Sequence, residues 1–312
     1  MQLKGFIFFF IIILALTGCS KGESVGSESI EDGLSVTFEN PDNEQKFEII
    51  HAYQLFNPFY EESKNIPKDE HLDLYKSSII DPVYDKCFKD GEYEFLAESI
   101  LNEEPKNRIA IQDVIKKINF TSTNDAIKDA LIKSSNLLPS EKETTVCVFP
   151  TNDNSTLMFT AGSGKIIVLY NRNYSSDIIK AGIAHEYHHS VWTEKHHTND
   201  SFTVLDNLVF EGKAVMFEKT VFPSINITQI DETFRPDQWA KIEGDLSNTD
   251  DTRALLILRG SKEGFPKQYG YSEGYKMVQA YLDVNPDATV EEWTGKSADE
   301  IFEEGNYQAN YQ

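Results

Sequence analysis

The feature that most constrains the fold of this chain is the run His-Glu-Tyr-His-His at residues 185–189. His185 and His189 stand four residues apart, a spacing that brings two side chains to one face when the backbone is α-helical. Apolar residues recur with helical periodicity just before the run, at 178–184. The sequence therefore predicts a helix over about 176–194 that presents both imidazoles on one side.

Two imidazoles on consecutive helical turns are typical of a zinc site. Glu186 lies beside them, where its carboxylate can take a proton from a water molecule on the metal. Zinc lowers the pKa of such a water toward about 7, so that it can attack a carbonyl group. The motif predicts zinc-dependent hydrolysis of peptide bonds, with a metal-activated water as nucleophile and Glu186 as general base.

A catalytic zinc site needs a third protein ligand. One class of zinc peptidases has the longer motif His-Glu-x-x-His-x-x-Gly-x-x-His, but Trp192 and Lys195 replace its Gly and last His here, which excludes that class. Glu211 is the best candidate, because it falls in an apolar helical stripe where an unpaired carboxylate is costly. Gly212 beside it would let a neighbouring helix approach closely. Glu218, which we place off this stripe, is the substitute candidate, and Asp206 and Asp200 are weaker alternatives.

The reaction also needs a donor for the negative charge that develops on the carbonyl oxygen. All seven histidines lie in the first two thirds of the chain, so a donor from the C-terminal part is not a histidine. Tyr271 and Tyr275 share one helical face in Gly-Tyr-Ser-Glu-Gly-Tyr, and we predict this catalytic role for them. Arg253 and Arg259 are the alternatives, and packing of both tyrosines in the core is the competing interpretation.

The rest of the pattern predicts an α+β fold that is mainly helical. Residues 44–140 have helical character, including the apolar segment from Phe47 to Phe59. Strands are predicted at 144–149, 157–160 and 165–170, with a hairpin turn at 161–164, and later helices at 202–219, 271–283 and 288–304. A small antiparallel sheet that precedes the motif helix is the zincin-like arrangement, in which an edge strand holds an extended peptide substrate.

The N-terminus predicts export and lipid anchoring in a bacterium. Lys4 precedes an unbroken apolar run at 6–16, which has the length of a signal-peptide core and is short for a membrane span. Leu-Thr-Gly-Cys at 16–19 is similar to a bacterial lipobox. We therefore expect a lipoprotein signal peptide at 1–18 and acyl chains such as palmitate on Cys19, which tether the protein to the extracytoplasmic face of the cell membrane. A simple anchor helix is the alternative.

Composition sets the remaining boundaries. Residues 19–43 are predicted to be a flexible, lipid-anchored tether, since they begin with a stretch rich in Ser, Gly and acids. Residues 44–312 then form one zincin-like metallopeptidase domain, with the sheet and the active-site helix at about 144–220 between two helical parts. Cys87 and Cys147 either pair in an oxidising compartment or stay as buried thiols.

The formal net charge of −22 also limits the partners. A strongly acidic chain repels nucleic acid, so no nucleic-acid partner is expected. The expected partners are a peptide or protein substrate and, through the lipid anchor, a membrane.

Three motifs together are similar to a known bacterial family. They are His-Glu-Tyr-His-His at 185–189, Glu-Gly-Lys-Ala at 211–214 and Gly-Tyr-x-x-Gly-Tyr at 270–275. The chain resembles the family named domain of unknown function 2268, whose members are predicted zinc-dependent proteases of the gluzincin type. The resemblance extends from about residue 47 to Tyr307.

The resemblance implies that both motif histidines and Glu211 bind the zinc ion and that Glu186 is the catalytic carboxylate. The chain departs from thermolysin-type enzymes at Val215, where those enzymes have an acid that orients a zinc-bound histidine. The orienting group must then come from elsewhere, with Asp206 or a backbone carbonyl as candidates.

Two other functions remain open. A catalytically inactive lipoprotein that binds zinc or peptide would keep the same motif. A structural zinc site would need a fourth protein ligand, such as His188 or His197, although structural sites favour thiolates.

Overall fold

A computed structural model describes residues 29–31, 33–155, 157–198 and 201–311 of the chain. The predicted signal peptide at 1–18, the predicted lipidation site Cys19 and the ligand candidate Asp200 lie outside these residues. Within the described part, no helix combines the length and apolar character needed to cross a membrane. The fold mixes helices with one sheet, so the prediction of a mainly helical α+β fold is confirmed.

One mixed sheet contains six strands. They are β1 (Ser29–Glu31), β2 (Ser35–Glu39), β3 (Lys46–Ile50), β4 (Thr144–Pro150), β5 (Met158–Gly162) and β6 (Lys165–Tyr170). Their order is β1-β2-β3-β4-β6-β5, which leaves β5 at an edge. β4 runs parallel to both of its neighbours, and the other pairs are antiparallel.

The prediction of an antiparallel sheet is therefore wrong at its centre. A long helical segment connects β3 to β4, and a crossover of that kind lets two strands run parallel. The helical assignment at Phe47 and Ile50 is also wrong, because both belong to β3. All residues from 47 to 50 are buried, so the strand lacks the polar alternation that marks a strand with one exposed face.

β2 lies within residues 19–43, which we assigned to the tether. Its Val36 and Phe38 are buried, and the Phe38 ring stacks on Phe47 of β3 with centroids 5.0 Å apart. The folded part thus begins before residue 44. Tether-like composition ends near residue 34, and the boundary was placed too late because β2 is short and carries few apolar residues.

Six helices lie between β3 and β4. They are α1 (Phe56–Glu62), α2 (His71–Tyr75), α3 (Asp81–Cys87), α4 (Glu98–Asn102), α5 (Arg108–Ile115) and α6 (Phe120–Leu137). β4 separates two hydrophobic cores: Cys147 and Phe149 join the core with α1 and α3, whereas Val146 and Val148 join the core with α6. A disulfide between Cys87 and Cys147 connects α3 to β4, which decides the question that the sequence left open.

The C-terminal part contributes seven helices. They are α7 (Ser176–His196), α8 (Val204–Val221), α9 (Pro236–Trp239), α10 (Asp251–Arg259), α11 (Tyr269–Val284), α12 (Val290–Gly295) and α13 (Ala298–Glu304). The predicted helices at 176–194, 202–219 and 271–283 correspond to α7, α8 and α11. The single helix predicted at 288–304 is two helices, because Ser297 forms its own capping box and starts α13.

α8 and α11 cross at two glycines. A Cβ atom on Gly212 would lie 2.1 Å from the carbonyl carbon of Gly274, and one on Gly274 would lie 1.8 Å from the carbonyl oxygen of Leu208. Only glycine allows the two backbones to approach this closely. The expectation that Gly212 permits close approach of a neighbouring helix is confirmed, and the contact brings Glu211 and Tyr271 toward the same point beside α7.

Candidate metal centre

α7 carries the two histidines of the motif. The helix begins at its N-cap Ser175, whose side chain accepts a hydrogen bond from the backbone N–H of Ile178. His185 and His189 lie on consecutive turns, and their Nε2 atoms are 3.1 Å apart. Helical spacing thus directs both imidazoles to one point, as predicted.

Glu211 of α8 completes a group of three donors. Its Oε2 lies 3.2 Å from Nε2 of His185 and 3.4 Å from Nε2 of His189. Ligand atoms about 2.0–2.1 Å from a tetrahedral zinc ion are separated by roughly 3.3 Å, and nitrogen and carboxylate donors suit zinc. Within the described residues, these three side chains are the group of histidines, cysteines and acids that fits a metal ion.

The electrostatics of the group are those of a tightly packed set of donors. Burial acts to lower the pKa of His185, but the hydrogen bond to Glu211 and the nearby Glu218 carboxylate outweigh it and raise that pKa to about 10. Burial acts to raise the pKa of Glu211, but the charge of His189 and the imidazole hydrogen bonds lower it well below its ordinary value. Glu211 is therefore an anion, the form that a cation binds.

The Glu218 carboxylate lies behind His185. Its Oε2 lies 3.6 Å from Nδ1 of His185, the ring atom turned away from the other donors. Glu218 is only 2 % exposed, and its carboxylate accepts hydrogen bonds from the hydroxyl of Thr228 at 2.7 Å and from the backbone N–H of the same residue at 3.4 Å. Glu218 is thus a second carboxylate near the centre, but it is not one of the three grouped donors.

An orienting role is not among those predicted for Glu218. Asp206, one of the predicted orienting groups, instead accepts hydrogen bonds from Thr203 in the capping box that starts α8. The expected place of Glu218 off the stripe of Glu211 is wrong, because residue 218 follows Glu211 by seven residues, two helical turns, and lies on the same face. That spacing is the signal by which the sequence indicates it.

His189 is held differently. Its ring stacks on Phe210 with centroids 4.1 Å apart and planes inclined by 22°. Its Nδ1 is buried and has no hydrogen-bond partner in the described part of the chain. The ring of His189 is therefore oriented by aromatic packing on Phe210 and not by a hydrogen bond at Nδ1 within the described residues.

Glu186 faces the edge strand. The hydroxyl of Thr160, on β5, lies 3.0 Å from Oε2 of Glu186 and 2.8 Å from its backbone oxygen. The Glu186 carboxylate is thereby fixed next to the donors without forming an ion pair in the described structure. Its Oε1 accepts no hydrogen bond from the described residues, so this oxygen can accept a proton.

The two predicted tyrosines lie in different places. Tyr271 lines the cleft over the centre, with its ring centroid 6.4 Å from that of His185. The charge of Glu211, burial and the charge of Glu186 raise the pKa of Tyr271 well above its ordinary value, so its hydroxyl keeps a proton that it can donate. Tyr275 lies one helical turn, about 6 Å, further along α11. Its hydroxyl lies 3.5 Å from the side-chain oxygen of Gln279, and it is not among the residues that line the cleft.

The two arginines that are the alternative donors to the oxyanion also lie in different places. Arg259 lines the cleft. Arg253 forms ion pairs with Asp245 and Glu263 away from the centre, each at 2.8 Å.

The other histidines do not join the centre. His188 is fully buried, stacks on Trp293 and lies 3.3 Å from the hydroxyl of Thr294. His197 contacts the hydroxyl of Tyr93 at 3.5 Å. Neither belongs to the metal-binding group of the described residues, so no fourth ligand for a structural zinc site is found there.

The donors open into a cleft of about 990 Å³. β5 and segments near it supply one set of lining residues, and α10, the start of α11 and the segment 227–229 supply another. In an antiparallel pair, successive residues of a strand direct their backbone N–H and C=O groups alternately toward and away from the partner strand. The backbone N–H of Leu169 donates to the carbonyl oxygen of Leu157, so Leu157 points toward β6. The backbone groups of Met158 and Thr160 therefore point away from β6. The cleft thus combines a metal-binding group with an available strand edge.

Comparisons with known proteins agree with this chemistry. A family model described as "Predicted Zn-dependent protease (DUF2268)" matches residues 123–303. That region is more than half of the chain and contains β4–β6, the three donors, Glu186 and Glu218. It begins later than the resemblance predicted from about residue 47. No curated protein and no solved structure matches the chain.

Proposed function

Because the chain belongs to this family of predicted Zn-dependent proteases, we propose that it is a metallopeptidase that holds zinc with His185, His189 and Glu211. The observation that carries the proposal is the convergence of these donors, 3.1–3.4 Å apart, next to a carboxylate in an open cleft. A bound zinc ion would polarise the substrate carbonyl and lower the pKa of a water molecule.

The protein's own groups supply the remaining steps. Glu186 takes a proton from the attacking water and passes it to the leaving amine. The hydroxyl of Thr160 positions the Glu186 carboxylate. The hydroxyl of Tyr271, kept protonated by its anionic surroundings, donates to the developing oxyanion. An extended peptide pairs with β5 through the outward backbone groups of Met158 and Thr160.

We propose further that the enzyme acts outside the cytoplasm, tethered by lipid on Cys19. The lipobox-like sequence at 16–19 supports this location. The buried disulfide between Cys87 and Cys147 supports it as well, since such bonds persist in oxidising compartments.

The test replaces the proposed general base. Glu186→Gln should keep the zinc content of the wild type and lower peptide hydrolysis about 10²–10⁴-fold, the usual contribution of a general base. Asp177→Asn makes the same charge change at an exposed position on the same helix and should keep full activity. Metal analysis and cleavage of a peptide pool are measured for all three chains.

Unchanged turnover in Glu186→Gln would refute the assigned role. Zinc binding by the wild type without cleavage of any pool would instead indicate the inactive binding protein.

A further inference from the structure

The acids that line the cleft all have partners inside the protein. Glu186 contacts Thr160, Glu211 contacts the two histidines, and Glu218 contacts Thr228. Each of these carboxylates therefore already contacts another side chain of the protein. The other charged residues that line the cleft in the described structure are both basic, Arg259 and Lys267.

Among the described residues, neither of these basic side chains has an ion-pair or hydrogen-bond partner. Both residues are exposed. Arg253, six residues before Arg259 on α10, differs from them, because it pairs with two acids. In a chain with 51 acidic and 29 basic residues, Arg259 and Lys267 place two cations without a described ion pair in one wall of the cleft.

The segment that follows Arg259 and carries Lys267 has an unusual backbone. Residues 260–268 connect α10 to α11, and Ser261, Glu263 and Gln268 adopt positive φ angles of 63°, 52° and 55°. Such conformations are costly for residues other than glycine, and they recur at ligand-binding sites. Gln268 also lines the cleft and adds an amide donor beside the two cations.

The position of this segment relates it to the substrate. β5 packs on α7, whereas α10 and α11 pack on α8. The helix pair α7 and α8 holds the metal donors between these two walls. A peptide paired with β5 and centred over the donors would therefore meet the wall of α10 and α11 on its other side.

We infer that Arg259 and Lys267, with Gln268, form a subsite that binds a carboxylate group of the peptide substrate. The inference rests on the proposed peptidase function and adds a substrate class to it. Guanidinium and ammonium groups bind carboxylates through charge-assisted hydrogen bonds. The carboxylate comes from an Asp or Glu side chain or from the C-terminus of the peptide.

The charge of the whole chain opposes the binding of acidic peptides, so a preference for a carboxylate must come from local contacts. A net charge of −22 repels acidic peptides at long range. Recognition of a carboxylate then depends on local contacts with Arg259 and Lys267, so removal of these two charges should abolish the preference for it.

The test measures binding separately from turnover. The full chain with Glu186→Gln, loaded with zinc, is titrated by fluorescence anisotropy with three labelled peptide pools. One pool contains Glu and ends in an amide, one has Gln in place of Glu and ends in an amide, and one has Gln and a free C-terminus. We expect the pool with the recognised carboxylate to bind about tenfold more tightly than the Gln amide pool, equivalent to about 1.4 kcal/mol.

The same titrations are repeated with Arg259→Gln and Lys267→Gln added together. The preference should fall below about twofold, and the affinity for the Gln amide pool should stay constant. Lys262→Gln is the matched control, since Lys262 is exposed in the same segment but does not line the cleft. It should keep the preference.

Each outcome decides between the alternatives. Preference for the Glu pool identifies a side-chain carboxylate, and preference for the free terminus identifies a C-terminal one. No preference, or a preference that persists without Arg259 and Lys267, overturns the subsite even if the wild type cleaves peptides. Failure of the wild type to cleave any pool overturns the peptidase instead, and the binding measurement still tests the subsite.

Discussion

His185 and His189 have the same chemistry but different supports. The Glu218 carboxylate faces Nδ1 of His185 at 3.6 Å, whereas His189 relies on the ring of Phe210. A carboxylate behind an imidazole fixes its tautomer and makes it a stronger ligand. In thermolysin-type enzymes, an acid at the position of Val215 here orients a zinc-bound histidine. We assign this orienting role to Glu218.

The first prediction concerns Glu218. Glu218→Gln should weaken zinc binding about 10–100-fold, because a neutral amide no longer strengthens His185 as a ligand. Glu232→Gln, at an exposed acid after α8, should have little effect. Zinc affinity is measured by competition with a chelator, and the free energy of unfolding of each zinc-free chain is measured in urea. Equal zinc affinity in Glu218→Gln and wild type would contradict the assignment.

At the scale of elements, the centre depends on how three helices pack. α7 supplies the histidines and Glu186, α8 supplies Glu211 and Glu218, and α11 supplies Tyr271. The Gly212–Gly274 crossing sets the distance between α8 and α11. Because Glu211 directly precedes Gly212, any change in this crossing moves a metal ligand.

The second prediction follows from that contact. Gly212→Ala places a Cβ atom against the Gly274 backbone, so α8 and α11 must separate. We expect a loss of about 1–3 kcal/mol in the free energy of unfolding and weaker zinc binding. Gly244→Ala is the control, since nothing lies within 4 Å of a Cβ there, and its change should stay within about 0.5 kcal/mol.

Urea denaturation and zinc competition measure both effects. If Gly212→Ala behaves like Gly244→Ala in both assays, the crossing does not position Glu211.

At the scale of the whole molecule, one sheet separates two hydrophobic cores. Alternate side chains of β4 enter different cores, so this strand links the N-terminal helices to the helices of the metal centre. The disulfide from Cys87 to Cys147 lies on the side away from α6 and joins residues 60 positions apart. It stabilises the attachment of α3 to the sheet.

The third prediction concerns this disulfide. Loop-closure entropy for 60 residues amounts to about 4 kcal/mol, and measured effects are often smaller. The double variant Cys87→Ala and Cys147→Ala should therefore lose about 2–4 kcal/mol of unfolding free energy. Reductant should lower the stability of the wild type to a similar level and leave the double variant unchanged. If reductant did not change the unfolding free energy of the wild type, the disulfide would not form in solution.

Chemistry that is local along the chain could be predicted from the residues alone. Helical spacing fixes the two imidazoles and Glu186, and the apolar stripe of α8 identified Glu211. Strands β4–β6 were also recognisable, since their apolar and β-branched residues contrast with their neighbours. Each of these inferences needs only the period of one helix or strand.

Features that depend on contacts between distant segments are visible in the folded chain and not in local patterns. The parallel pairing of β3 with β4 follows from a crossover almost a hundred residues long, and no local pattern encodes strand direction. The packing of α11 on α8 places Tyr271, but not Tyr275, along the cleft, and the approach of α8 to α7 places Glu218 beside His185. The physical reason is the same in each case: a side chain's function depends on the neighbour that packing brings to it.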